Sequence, residues 1–121
     1  MELLTTGFII RTEHYSACVD FYQRVLGLPI VEEKHDGDFH MTHFAFGGAY
    51  LLIETGGTAD PVGNGPIWKR KILRLDVADY QPVIAQLESM DVRADYYAYD
   101  WGNVVITFDP DGNQVEFKSP A

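Results

Sequence analysis

Glu116, in the stretch FDPDGNQVEF (108–117), is the carboxylate whose neighbours constrain it most tightly. Pro110 presets φ, Gly112 supplies a positive φ, and Asp109, Asp111 and Asn113 can hold nearby amides, so the stretch reads as strand, tight turn, strand. A side-chain period of two then turns Gln114 and Glu116 one way and Val115 and Phe117 the other. A carboxylate so placed is a general base where it meets a substrate, and a charge in need of a partner where it is buried. A second carboxylate, Glu54, ends the run YLLIE (50–54) and shares its face with Tyr50 and Leu52. Cations alternate in the same manner on two further runs. Arg11 falls in phase with Gly7 and Ile9, and Arg74 with Ile72 and Asp76.

The histidines divide by position. His35 falls in a predicted turn and His14 at the start of a predicted helix, and both are expected at the surface without a chemical role. His40 and His43 lie on one strand at odd spacing, hence on opposite faces. His43 is the one expected on the face that carries Glu54, nearly opposite Leu52. A metal site made by His43, Glu54 and Glu116 is conceivable, although a histidine among apolar neighbours is more often packed or bonded to a carboxylate. The single Cys18 excludes an intramolecular disulfide and a cysteine zinc cluster; it sits on an apolar helix face and is expected to be packing.

Two similar runs of elements must position these groups. In the first, GFIIRT (7–12) reads as a strand and YSACVDFYQRVLG (15–27) as a helix with Cys18, Phe21 and Val25 on one face and Gly27 at its end; strands follow at 29–34, 39–46 and 49–54, joined by HDGD and GG turns. The second run repeats this order. KILRLDV (71–77) is a strand, DYQPVIAQLESM (79–90) a helix capped by Asp79, and strands follow at 93–99, 103–108 and 113–117. Between them, TGGTADPVGNGP (55–66) is rich in Gly and Pro and reads as a linker. The expected organisation is one domain over 1–121: module 1 at about 1–56, linker 57–66 and module 2 at about 67–121.

Composition narrows the function classes. A chain of 121 residues, 46% hydrophobic, can bury a modest core. Eighteen acidic residues against nine basic ones give a net charge of −9, which repels a phosphate backbone and argues against nucleic acid; the short KRK at 69–71 reads as a solvated strand edge. No apolar run approaches the roughly 18–20 residues that span a bilayer, and MELLTTGFII lacks the basic start and cleavage site of a signal peptide, so a cytoplasmic protein is expected. Aromatic residues concentrate at YYAYDW (96–101), with Tyr50, Phe39 and Trp68 elsewhere. Flat rings on a concave face favour a planar or apolar organic ligand, while alternate members of the cluster must point toward the helices.

Two tandem βαβββ modules, with FYQRVLGLPIV (21–31), YLLIE (50–54) and FDPDGNQVEF (108–117), resemble the vicinal oxygen chelate family, which includes glyoxalase I, bleomycin-resistance proteins, fosfomycin-resistance enzymes and extradiol dioxygenases. The resemblance implies an α+β fold in which the two modules form a curved, cupped mixed sheet with helices outside and a cavity within. Metal-using members hold a divalent ion with side chains from the first and last strands of each module, and those positions align here with Gly7, Glu54, Ile72 and Glu116. Gly7 and Ile72 offer no donor, and two carboxylates alone bind such ions weakly. Guanidinium is the natural replacement for the ion, with Arg11 and Arg74 offsetting Glu54 and Glu116.

The resulting expectation is a metal-free, cofactor-free small-molecule-binding protein of the glyoxalase/bleomycin-resistance type, a homodimer, taking an aromatic or apolar organic ligand on Arg11, His43, Tyr50, Leu52, Glu54, Arg74, Trp101 and Glu116. The alternative is a glyoxalase-like lyase or isomerase, either metal-dependent through an atypical ligand set or using Glu54 or Glu116 as general base. A regulatory domain without ligand chemistry is the third class; side chains filling the cavity would favour it.

Overall fold

The computed structural model describes residues 1–59 and 71–121. Most of the expected linker, Trp68, and Lys69 and Arg70 of the basic cluster lie outside the described residues. The chain divides into two compact units, Met1–Ala59 and Asp60–Ala121, and each contains one four-stranded mixed sheet.

In the first unit the elements are β1 (Gly7–Thr12), α1 (Tyr15–Asp20), β2 (Ile30–Asp36), β3 (Phe39–Phe46) and β4 (Ala49–Thr55). The sheet order is β1-β4-β3-β2, with β1 parallel to β4 and the other pairs antiparallel. Alternation decides the faces. Ile10, Thr12, Thr42, Phe44, Leu51 and Ile53 are buried on one side, where Tyr22 meets Phe44 at 6.2 Å between ring centroids and the Cys18 thiol lies 3.3 Å from the Thr12 hydroxyl. Cys18 is therefore packing, bonded to a hydroxyl of β1.

The single helix expected over 15–27 is interrupted. After α1 the chain widens into a π-helical turn, Phe21–Val25, in which the Leu26 amide donates to the Phe21 carbonyl at 3.0 Å, and Gly27 at φ 74° ends it. The buried positions 18, 21, 22 and 25 fit either winding, so the hydrophobic period carries no signal for the change. A second difference is at the β2–β3 hairpin. The turn is only Gly37–Asp38, with Asp36 opposite Phe39, so His35 is a strand residue facing His40 across the hairpin rather than part of the turn.

The second unit repeats the order with β5 (Ile72–Asp76), α2 (Gln81–Ser89), β6 (Asp95–Tyr99), β7 (Gly102–Phe108) and β8 (Gln114–Ser119), arranged β5-β8-β7-β6 with β5 parallel to β8. The Asp79 carboxylate accepts from the Gln81 amide at 2.9 Å at the start of α2. Leu73, Val105, Thr107, Val115 and Phe117 are buried on one face of the sheet, and Leu87 is the buried residue of α2. Tyr96 has the same parity; it stacks on Tyr80, which immediately precedes α2, at 4.5 Å and 4°, and donates its hydroxyl to Asn103 Oδ1 at 2.6 Å. Among the described residues no helix is long and apolar enough to cross a membrane.

The β7–β8 turn is built around one side chain. Asp109 is 4% exposed. Its Oδ1 accepts from the Asp111 and Asn113 amides, each at 2.9 Å, and its Oδ2 accepts from Asn113 Nδ2 at 2.8 Å. Gly112, at φ 86°, closes the turn by donating to the Asp109 carbonyl at 2.9 Å. This turn sets the pairing Phe108 opposite Gln114, and hence Ile106 opposite Glu116. Replacing Asp109 with Ala leaves buried donors unpaired and should cost about 1–3 kcal/mol in urea unfolding. Asp109→Asn, which keeps one acceptor oxygen, should lose less; equal loss in both variants would mean that the carboxylate's charge, not its acceptor geometry, holds the turn.

Candidate functional site

Each unit contains the same ion pair at the same place in its sheet. The parallel pairing of β1 and β4 sets Arg11 opposite Glu54, and that of β5 and β8 sets Arg74 opposite Glu116. Arg11 Nε donates to Glu54 Oε1 at 3.1 Å; Arg74 donates to Glu116 Oε1 from Nε at 2.7 Å and Nη2 at 2.5 Å. The settings differ. The Glu116 side chain is 7% exposed beneath a 46% exposed Arg74, while Glu54 is 14% exposed beneath an arginine that is 69% exposed. Both guanidinium contacts fall on Oε1, and Gln114 Nε2 donates to Oε2 at 3.5 Å.

The positions aligned with the family's metal ligands do not form a donor set. Gly7 is opposite Tyr50, not Glu54, whose partner Arg11 lies four residues further along β1, about 13 Å at the rise of a strand. The Tyr50 ring fills the space beside Gly7: a Cβ added there would fall 2.1 Å from ring atoms. In the second unit Ile72 is opposite Gln114 and only diagonal to Glu116. With one position lacking a side chain, one apolar and both carboxylates engaged by arginine, these residues do not fit the divalent ion. The atypical set fares no better within the first unit. His43 is opposite Leu52 and sets its ring edge-on to Tyr50 at 5.5 Å and 74°. Within either unit, no group of three or more His, Cys, Asp or Glu among the described residues could hold a metal ion.

The candidate residues of the first unit, Arg11, His43, Tyr50, Leu52 and Glu54, do share one face, the one opposite the side that buries Ile10, Phe44, Leu51 and Ile53. In the second unit the corresponding face carries more than the sequence assigned to it. Register puts Tyr97 opposite Val104 and Val104 opposite Lys118, on the parity of Arg74 and Glu116, with Tyr99 next along β6. Tyr97 and Tyr99 lie 6.4 Å apart at 22°, and Tyr99 stacks on Trp101 of the β6–β7 turn at 4.8 Å and 4°. The Arg74 guanidinium and the Lys118 ammonium stand 5.9 and 6.0 Å from the Trp101 ring centre, within cation–π range. Gly102 keeps this turn close to β8, since a Cβ there would meet the Ser119 carbonyl oxygen at 2.6 Å.

A continuous strip thus runs Glu116, Arg74, Trp101, Tyr99, Tyr97. Its three rings are 46–52% exposed, a large apolar surface left to water beside a buried carboxylate. Trp101, Arg74 and Glu116 are legible as candidates and Tyr97 and Tyr99 as members of the aromatic cluster without an assigned face; Lys118 carries no such signal. The period-two spacing of Tyr97 and Tyr99 was the available signal, but assigning them to the face of Glu116 needs the lengths of two turns.

The unequal exposure of the two ion pairs gives a prediction. Removing Arg74 strands a nearly buried carboxylate and should cost between about 1 and 3 kcal/mol, below a fully buried pair because Arg74 is half in water. Arg11→Ala should cost under about 1 kcal/mol. In Arg74→Ala with Glu116→Gln, part of the loss should return, isolating the coupling from the packing of the arginine stem. Equal costs for the two arginines, with strict additivity in the double variant, would show that Glu116 does not depend on Arg74.

The chain matches the family model of the Glyoxalase/Bleomycin resistance protein/Dioxygenase superfamily over residues 5–117. No protein of curated description matches the sequence. Among solved structures it resembles TnmS3, an antibiotic binding protein from Streptomyces sp. CB03234, at a TM-score of 0.75 and 21% identity, covering 99% of this chain and 98% of that one. A lactoylglutathione lyase from Agrobacterium tumefaciens is similar at 0.72 and 22%, covering 94% and 91%. The fosfomycin resistance protein FosX from Listeria monocytogenes is similar at 0.75 and 10%, covering 100% and 95%. At these identities the three structures speak for the fold alone, the tandem βαβββ arrangement read from the sequence. With its family model matched over nearly the whole length, the chain belongs to the Glyoxalase/Bleomycin resistance protein/Dioxygenase superfamily.

Proposed function

We propose that this protein binds a planar aromatic or apolar organic molecule without a metal ion, as a homodimer working in the cytoplasm. The observation that carries this reading is the half-exposed stack of Tyr97, Tyr99 and Trp101 beside the Arg74–Glu116 pair. Stacked rings offer a flat surface that a second flat ring can extend, and the ion pair at its end supplies directional donors and acceptors. Trp101 and Tyr99 take the ring system, while Arg74, Glu116 and Lys118 fix its orientation. On its own face, the first unit offers Arg11, Glu54, His43, Tyr50 and Leu52 as proposed ligand-binding residues. The antibiotic binding protein among the structural neighbours supports the class. Dimer formation is supported by β1, an edge strand with Phe8 and Ile9 38% and 51% exposed.

A lyase or isomerase is the second reading, favoured by one feature: Glu116 is a buried carboxylate whose Oε2 lies outside the arginine contacts. In that case Glu116 takes a proton from bound substrate as general base, while Arg74 holds its other oxygen and faces the charge that develops. The similarity to a lactoylglutathione lyase supports this class.

Native mass spectrometry of gently purified protein, followed by tryptophan-fluorescence titration with a panel of fused-ring aromatics, separates the readings. Binding should survive dialysis against a chelator and weaken about tenfold in Trp101→Ala, the loss of about 1.4 kcal/mol of stacking. Binding that disappears on chelation and returns with added metal would overturn the metal-free reading. Turnover of a bound compound that stops in Glu116→Gln while its affinity is kept would favour the enzyme. Sedimentation showing only a species near 13.7 kDa at micromolar concentration would remove the dimer.

A further inference from the structure

The β2–β3 hairpin carries a pair of side chains outside the strip and its face. His35 is directly opposite His40, and their Nδ1 atoms lie 2.7 Å apart with ring centroids at 4.9 Å. Two imidazoles bond in this way when one Nδ1 carries a proton and the other offers its lone pair, so both Nδ1 positions aim at the same small volume. The surroundings hold them there. Tyr15 packs at 5.5 Å from His40 and 6.4 Å from His35, and its hydroxyl bonds the Thr42 hydroxyl. The His40 amide donates to Thr55 Oγ1 at 3.1 Å, and that hydroxyl donates to the Asp38 carbonyl at 3.4 Å, tying the hairpin end to β4.

This geometry is close to what a metal ion requires. Bonds of about 2.0–2.1 Å to imidazole nitrogen place the donors about 2.8–3.0 Å apart at square angles and about 3.3–3.4 Å at tetrahedral ones, so the observed 2.7 Å is nearest the square arrangement. We propose that His35 and His40 form a two-imidazole site for a borderline divalent cation, Cu²⁺, Ni²⁺ or Zn²⁺, with water completing the coordination. The order of affinity across these ions puts Cu²⁺ first, and Mg²⁺, which prefers oxygen donors, is excluded by the nitrogen pair. On binding, the shared proton leaves Nδ1 for Nε2 of the same ring, so both rings stay neutral and both Nδ1 lone pairs reach the metal. No redox change is involved. Because His40 and His43 point to opposite faces of β3, this site is separate from the face proposed to bind ligand.

The test is a titration of the whole chain at neutral pH with Cu²⁺, Ni²⁺ and Mg²⁺, followed by calorimetry, with electron paramagnetic resonance of the Cu²⁺ form. One Cu²⁺ per chain with two-nitrogen hyperfine structure is expected, with weaker Ni²⁺ binding and no Mg²⁺ binding. His35→Gln and His40→Gln should each weaken Cu²⁺ at least tenfold and lose one nitrogen from the spectrum; both lie on a solvent-facing hairpin, and unchanged urea midpoints would confirm that they fold. A wild-type spectrum with fewer than two nitrogens, or variants that bind as tightly as wild type, overturns the site. Metal that is lost in His40→Gln but kept in Glu116→Gln belongs to this hairpin and leaves the metal-free ligand reading standing; the opposite pattern refutes both.

Discussion

An arginine set opposite a glutamate across the parallel strand pair is the constraint around which each module is organised. A carboxylate at the centre of a sheet face loses water, and it stays charged there only if a cation lies within reach. The parallel pairing of first and last strands provides that cation from the neighbouring backbone in both modules, at Arg11 and Glu54 and again at Arg74 and Glu116. In metal-using relatives, as the family resemblance implies, a divalent ion supplies the compensating charge. Here the cation is covalently part of the chain. Each arginine contacts one oxygen of its glutamate, Oε1 of Glu54 and Oε1 of Glu116.

The consequence for chemistry is a change of character on the exposed faces. A metal polarises a substrate oxygen; a guanidinium–carboxylate pair instead presents directional hydrogen-bond donors and acceptors with nearly cancelled charge. Beside that pair the second module exposes the stacked rings of Tyr97, Tyr99 and Trp101, the apolar surface on which the proposed binding rests. The cations near Trp101 contribute in two ways. They stabilise the ring electrostatically and leave cationic groups at the end of the stack, which in the proposed reading would orient a ligand with a polar end.

The pseudo-repeat is symmetric in backbone and asymmetric in side chains. Both units show the same strand order and the same opposed arginine and glutamate, yet Glu116 is more enclosed than Glu54 and the exposed stacked rings occur on the second. The first module instead puts Tyr50 against Gly7 and turns His43 onto that ring. The exposed ring stack thus belongs to the second half, while the first carries the edge-on contact of His43 with Tyr50.

Local sequence settled what depends on neighbours within a few residues. The order of elements, the Asp109-centred turn, the approximate start of the second helix, two residues past the expected Asp79, and the face of each strand side chain follow from turn chemistry and the period of two, which are properties of short stretches. That much made Glu54, Glu116, Arg11 and Arg74 legible as candidates sharing one face of their strands. Register between strands was a different matter, because Arg11 and Glu54 are 43 residues apart and Arg74 and Glu116 are 42 apart. A shift of two residues keeps every side chain on its face and leaves the hydrophobic pattern intact, so alternation cannot detect it. Tertiary packing made that choice for the parallel pairs, setting Gly7 against Tyr50 rather than Glu54, while the exact lengths of the hairpin turns brought Tyr97 and Tyr99 into line with Trp101 and joined His35 to His40.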